Sequence, residues 1–323
     1  MRTKSASSNL TRVLLKARPT QKQLDDRLHT PAPEGLELYL DRDDLSEDPG
    51  SIARRCRYWV SDQFVWLVEA PIRTLGGQYF DLTNNDEDHR RTLRRVVLVG
   101  RALKAAAANI HVVAPTVDAS TVTMEERARR LELAAPLLRE YARLCQDAGM
   151  IPQVENIPPV GRMREEAYVF SAIGADPEDL LALAGIEPSL RFTVDLSHAG
   201  LYLNWCRLAA PDPRFAPVTA FFKRRYSGND LTAFCVRLAP FTTTVHVSNA
   251  NGYFGEGTRY ADGDFNLEAA LRPLVGKVPY FVTETLEADP NRAIGMREAQ
   301  VQLTRLVESA RGRPRDNALG DAS

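Results

Sequence analysis

Four short apolar runs in the second half of the chain each end on an acid or an imidazole. The run at 151–157 carries Glu155, that at 190–198 carries Asp195 and His198, that at 242–250 carries His246, and that at 278–285 carries Glu284. A charge emerging from a buried strand is costly unless it is paired or holds a metal. Three carboxylates gathered at one rim repel each other and invite a cation. An oxygen-rich set with one imidazole suits Mn, Mg, Fe(II) or Co better than structural zinc. Taken singly, each residue has a plainer reading. Glu155 and Glu284 could be surface carboxylates at loop starts, Asp195 a helix cap and His246 a packed core histidine. Four such residues at four successive strand ends are poorly explained by four accidents. Of the other histidines, His111 reads as a packed strand residue, and His29 and His89 as exposed helix residues.

The elements that would position these residues alternate. Eight β-rich runs fall at 12–16, 35–40, 64–73, 109–116, 151–157, 190–198, 242–250 and 278–285. Between them lie stretches of helical periodicity, clearest at 86–108, 123–148, 165–184, 267–274 and 294–310. Thr123, followed by Glu125 and Glu126, marks a helix start with acids in its first turn. Asp176 before Pro177, Glu178 and Asp179 marks another. The strands are nearly continuous apolar runs ending in polar groups, the pattern of strands buried on both faces. Eight strand–helix units predict an α/β fold, a single-domain (β/α)8 TIM barrel. An open doubly wound sheet is the alternative, weakened by the lack of a GxGxxG turn after the first strand. The chain is read as a short flexible N-terminus (1–9), the barrel (10–310) and a flexible C-terminal tail (311–323). A connection of about 40 residues after strand six, at 199–241, reads as an insertion of the kind that forms lids or substrate walls. Its aromatics Tyr202, Trp205, Phe221 and Phe222, with Tyr253 and Phe254 after strand seven, would wall a pocket or simply pack.

Composition narrows the class. With 41 basic and 42 acidic residues among 323, the chain shows no excess that would suit a nucleic-acid partner. The arginine-rich stretches at 90–95 and 127–130 read as solvated helix faces. The four cysteines, Cys56, Cys145, Cys206 and Cys235, are isolated, which predicts free thiols in a reducing cytoplasmic setting. The first residues are polar and do not read as a secretory signal, and no apolar run approaches the roughly 20 residues of a membrane helix.

At its strand ends the sequence resembles the xylose-isomerase-like, AP-endonuclease-2-type barrel superfamily, over about residues 11–305. The most specific piece is Asp-Leu-Ser-His at 195–198. Glu155-Asn156, His246 followed by Gly-Glu-Gly at 255–257 and Gly-Asp at 263–264, and Glu284 add to it. The resemblance implies one divalent metal ion, manganese first, with magnesium, cobalt, iron or zinc as alternatives. Its ligands would be Glu155, Asp195, His246 and Glu284. Glu155 and Glu284 would also be the catalytic acid and base, and His198, Asn156 and Asn249 would bind substrate. The implied activity is isomerisation or epimerisation of a sugar or related hydroxy-ketone through an enediolate. Dehydration by the same machinery and a non-catalytic metabolite-binding barrel are the alternatives. The implied partner is a small polyhydroxylated molecule, with no nucleic acid and no membrane, and the chain could form homo-oligomers.

The nuclease branch of that superfamily holds three zinc ions with extra histidines. Here Ala70, Ala114 and Asn249-Ala250-Asn251 stand where those ligands are expected, so a nuclease is the less favoured reading. Two departures separate the chain from an ordinary ketose epimerase. Gly161 stands six residues after the strand-five Glu, where a second Glu is usual, and Gly252 stands six after His246, where an Arg is usual.

Overall fold

The computed structural model describes residues 10–57, 60–162 and 167–311. The expectations for 1–9 and for the tail beyond 311 lie outside the described residues.

Eight parallel strands close into a barrel: β1 (Arg12–Ala17), β2 (Gly35–Tyr39), β3 (Val65–Glu69), β4 (Ala107–His111), β5 (Ile151–Glu155), β6 (Arg191–Asp195), β7 (Thr242–Val247) and β8 (Tyr280–Thr283). Their order around the barrel is sequential, with β8 pairing back onto β1. The barrel expected from the sequence is therefore present. A strand sends alternate side chains to opposite faces. Outward, Val13, Leu15, Leu36, Leu38, Trp66, Val68, Ile110, Val154, Phe192, Val245 and Phe281 join the large core under the helices. Inward, Leu14, Leu67, Ala107 and Val282 form a separate small apolar plug. Two residues further along the same strands come Lys16, Glu69, Asn109 and Glu284. The barrel interior thus changes from apolar to charged within one pleat, at the end where the strands finish.

Several elements differ from the sequence expectation. The helix expected at 86–108 is Glu87–Leu103. It stops because Lys104 turns left-handed, with φ 55°, and Ala107 and Ala108 enter β4. The helix expected at 165–184 is Pro177–Ile186, starting at the Asp176 cap and Pro177. Upstream of it, Tyr168–Ser171 pairs with Pro115–Thr116 and Val160–Arg162 in a three-stranded antiparallel sheet. The connection at 199–241 is helical: Leu196–Arg207, Ala216–Arg225 and Leu231–Leu238. Its aromatics pack against one another. Trp205 meets Phe215, Tyr253 and Phe254, and Tyr202 meets Phe222 and Phe234. Tyr202, Trp205, Phe221 and Phe222 are buried and join the large core under the helices.

The arginine stretches are docked rather than simply solvated. Arg95 donates to the carbonyls of Leu45 and Glu47, and Arg127 to Asp179. His89, read as exposed, is fully buried. Its Nε2 accepts from the Asp81 amide and its Nδ1 bonds Asp86 Oδ1 at 2.7 Å, so the helix-cap geometry draws the ring inward. The four cysteines are free and buried.

One buried charge braces the outer helices. Asp179, fully buried, accepts from Arg127 Nε and Arg225 Nη2, each at 2.6 Å, and from the Gly174 amide at 3.0 Å. Removing one partner of such a pair strands the other charges. Asp179→Asn is expected to cost about 3 kcal/mol in urea unfolding. A change below about 0.5 kcal/mol would show the arginines to be satisfied elsewhere.

Candidate metal centre

β5, β6 and β7 deliver Glu155, Asp195 and His246 to the carboxyl-terminal rim, and Glu284 follows β8 directly. Barrel register sets them side by side, with His246 opposite Asp195 and β5 next to β6. His246 Nδ1 lies 2.6 Å from Glu284 Oε2, 3.2 Å from Glu155 Oε1 and 3.9 Å from Asp195 Oδ2. One ligand atom from each of the four residues falls within 4.8 Å of all the others. Ligands about 2.1 Å from one ion sit about 3 Å apart when adjacent, so the donor set fits a divalent cation. Glu284 Oε2 is buried and points at His246 Nδ1, so a cation bound between them would replace the proton they share. The structure therefore gathers all four residues expected to bind metal.

Each ligand is held from behind. His246 is fully buried, and its Nε2 lies 2.5 Å from Glu37 Oε2. This leaves Nδ1 toward the ligand cluster, the arrangement in which a carboxylate orients a metal-binding imidazole. Glu155 Oε2 accepts from Asn109 Nδ2. Asp195 Oδ1 accepts from the His198 amide at 2.6 Å, so the residue also caps the helix Leu196–Arg207, as one sequence alternative held. Glu284 Oε1 accepts from Lys16 Nζ.

The electrostatics follow from burial among opposed charges. Burial raises the Glu155 carboxyl, but His246, His111 and Lys16 outweigh it and hold it well below the usual carboxylate range. Glu284 is held at about 2, since Lys16 and His246 overcome burial. Asp195 is pushed up to about 7 by burial, against His198, with the charges of Glu284 and Glu155 adding to the rise. Burial opposes a charge on His246, yet Glu155, Glu37 and Glu284 raise it well above the ordinary imidazole range.

Two of the four candidate ligands thus carry protons near neutrality that a bound cation would displace. Uptake of Mn2+ at pH 6 is expected to release about one to two protons, and fewer at pH 8, where Asp195 is already ionised. Calorimetry in buffers of different ionisation enthalpy reads this directly. Heats independent of the buffer at pH 6 would contradict it.

Of the residues expected to bind substrate, His198 lies in the site. Its Nδ1 is 2.8 Å from the Asn156 carbonyl and its Nε2 3.2 Å from Glu256 Oε1. Burial opposes its charge, but Asp195 and Glu256 raise its pKa well above the usual value. Asn156 and Asn249 are instead committed to backbone. Asn156 donates to the Asp195 carbonyl and accepts from the Asp195 amide, tying β5 to β6. Asn249 donates to the carbonyls of Tyr260 and Phe265 and accepts from the amides of Ala250 and Phe265. Asn249 thus uses both donors of its amide on backbone, and Asn156 one of its two, so both hold the rim in place.

Five residues at the site were not placed there from the sequence: Lys16, Glu37, Glu69, His111 and Glu256. Lys16 Nζ lies 2.6 Å from Glu69 Oε2. His111, expected to pack, stands at the end of β4 with Nε2 3.6 Å from Glu155 Oε1. Their signal was present: Leu36-Glu37-Leu38 and Leu15-Lys16-Ala17 each set one charge between apolar neighbours in a strand. Two surface clefts of about 500 and 690 Å3, one lined by Gln300 and Thr304 and the other by Arg12 and Lys277, contain none of the site residues. Chemistry rather than cavity size locates this centre.

No family's sequence profile matches the chain, and no curated protein matches it. Solved structures do. A D-tagatose 3-epimerase-like protein superposes with a TM-score of 0.62 at 16 % identity, covering 94 % of this chain and 100 % of its own. An L-ribulose 3-epimerase gives 0.62 at 14 %, covering 95 % and 100 %. A family 2 AP endonuclease from Brucella melitensis gives 0.59 at 13 %, covering 90 % and 99 %. At these identities the likeness establishes the fold alone: this chain is an eight-stranded parallel (β/α)8 barrel like those structures.

Proposed function

We propose that the chain is a divalent-metal-dependent isomerase or epimerase of a sugar or related hydroxy-ketone. The observation that carries the reading is the pair Glu155 and Glu284. Both face His246 Nδ1, but they come from β5 and from the end of β8, with β6 and β7 between them. Two carboxylates thus approach one point from strands three apart around the barrel. The structural neighbours with epimerase names lend support.

A divalent ion held by Glu155, Asp195, His246 and Glu284, Mn2+ first among the candidates, would supply Lewis acidity toward a carbonyl oxygen. The chain's own residues do the rest. Glu155, ionised and buried, accepts the proton from the carbon beside the carbonyl, and the electron pair of that C–H bond shifts toward the carbonyl oxygen. His198 and Glu256 line the approach and bind hydroxyl groups. A proton then returns to carbon. If Glu284, having taken a proton from solvent, delivers it to the opposite face of the same carbon, the epimer forms and Glu155 releases the abstracted proton to solvent. If Glu155 returns the abstracted proton to the neighbouring carbon, while the adjoining hydroxyl passes its proton to the former carbonyl oxygen, the aldose–ketose isomer forms. Lys16 and His246 hold Glu284 at about 2, which makes it a poor proton donor and favours return by Glu155. Loss of a β-hydroxyl from the same intermediate would make the enzyme a dehydratase.

The test is solvent exchange. Mn2+-loaded protein is incubated in heavy water with a panel of ketoses, aldoses and cyclic hydroxy-ketones, and deuterium is located by NMR. Incorporation beside a carbonyl supports the reading, and its position separates epimerisation from isomerisation. No incorporation into any member would sink it.

A further inference from the structure

Five carboxyl groups crowd the inside of the barrel, two more than the four-residue ligand set uses. Glu155, Asp195 and Glu284 belong to the four-residue ligand set, but Glu37 and Glu69 lie beside it, both essentially unexposed. Glu37 Oε1 is buried and accepts no hydrogen bond from any described residue. Glu69 Oε1, His111 Nε2 and Glu155 Oε1 form a second group at ligand spacing, with His111 Nε2 3.8 Å from the first and 3.6 Å from the second. Two adjoining groups sharing Glu155 would ordinarily describe a two-metal centre.

Lys16 breaks that pattern. It projects inward from β1, with 7 % of its surface exposed. Its Nζ sits 2.6 Å from Glu69 Oε2 and hydrogen-bonds Glu284 Oε1, so it bridges the two groups. We propose that Lys16 is the resident cation of this half of the barrel: its ammonium, held beside the second group by Glu69, supplies the positive charge that a second divalent ion would bring and fixes the centre at one metal per chain. A dication bound at Glu69 would stand next to a fixed positive charge in a site screened from water, where like charges repel strongly. The ammonium instead supplies a single charge that cannot leave. It also occupies Glu284 Oε1, leaving Oε2 for the catalytic ion.

This inference rests on the metal reading above, and its experiment separates the two. Mn2+ is the probe, counted by elemental mass spectrometry and examined by electron paramagnetic resonance in the full-length protein. Wild type is expected to bind about one Mn2+ with an uncoupled six-line signal. Lys16→Ala is expected to bind about two, with the broadened signal of a spin-coupled pair, and Lys16→Ala/Glu69→Gln to return to about one. Lys16→Met, which keeps the packing of the stem and removes the charge, is made alongside in case the alanine variant does not fold. Either soluble variant decides. A single uncoupled ion in the Lys16 variants, or two ions in wild type, overturns the proposal and leaves the metal reading standing. No ion in wild type overturns both.

Discussion

Glu155→Gln is expected to slow proton exchange by a factor on the order of 10²–10⁴ while the barrel stays folded. Glutamine keeps the length and shape of the side chain, and its carbonyl oxygen can still accept from Asn109 Nδ2. It cannot accept a proton from carbon. Its neutral amide also gives up the charge that His246, His111 and His198 all face, at 3.2, 3.6 and 3.6 Å, so metal affinity falls as well. The deuterium assay is therefore run at saturating Mn2+, with circular dichroism as the fold control. An exchange rate equal to wild type would remove Glu155 from the chemistry.

The second large effect belongs to His246→Ala. It deletes one of the four ligands and is expected to weaken Mn2+ binding by more than about 100-fold, beyond the range typical of residues that only orient a ligand. It also takes from Glu37 the imidazole 2.5 Å away. A buried carboxylate without its partner costs about 3–5 kcal/mol or takes up a proton. The variant should therefore lose stability even without metal. Glu37→Gln separates the two contributions. It leaves the ligand in place and should weaken Mn2+ binding by only about 10–100-fold. Equal losses in both variants would place Glu37 among the ligands.

The fold was legible because β-rich and helical stretches alternate along the chain, and because Asp176-Pro177 and Thr123 mark real helix starts. The four strand-end residues were legible for a related reason. A strand leaving a packed core has little use for a charge at its last position unless something there needs it. Lys16, Glu37 and Glu69 were hidden by the same logic. Their strands read as apolar on both faces, yet in this barrel the inner face turns polar two residues beyond Leu14, Leu67 and Val282. His111 was misplaced because β4 was drawn at 109–116, which put the histidine inside the run, whereas the strand ends on it. Asn156 and Asn249 occupy the positions the resemblance suggested, but only coordinates reveal that their amides are already bonded to backbone. Tyr168–Ser171 was missed because a four-residue strand beside a capped helix carries too little pattern to stand apart from it.

The central claim is that Glu155, Asp195, His246 and Glu284 hold one divalent ion. It is tested most directly by the metal content of the purified protein after Mn2+ loading and desalting, with Asp195→Ala and His246→Ala in parallel. The account predicts about one ion per chain in wild type and close to none in either variant. Wild type that retains no metal, or variants that retain as much as wild type, would contradict it and leave the four strand-end residues a buried ion-pair network.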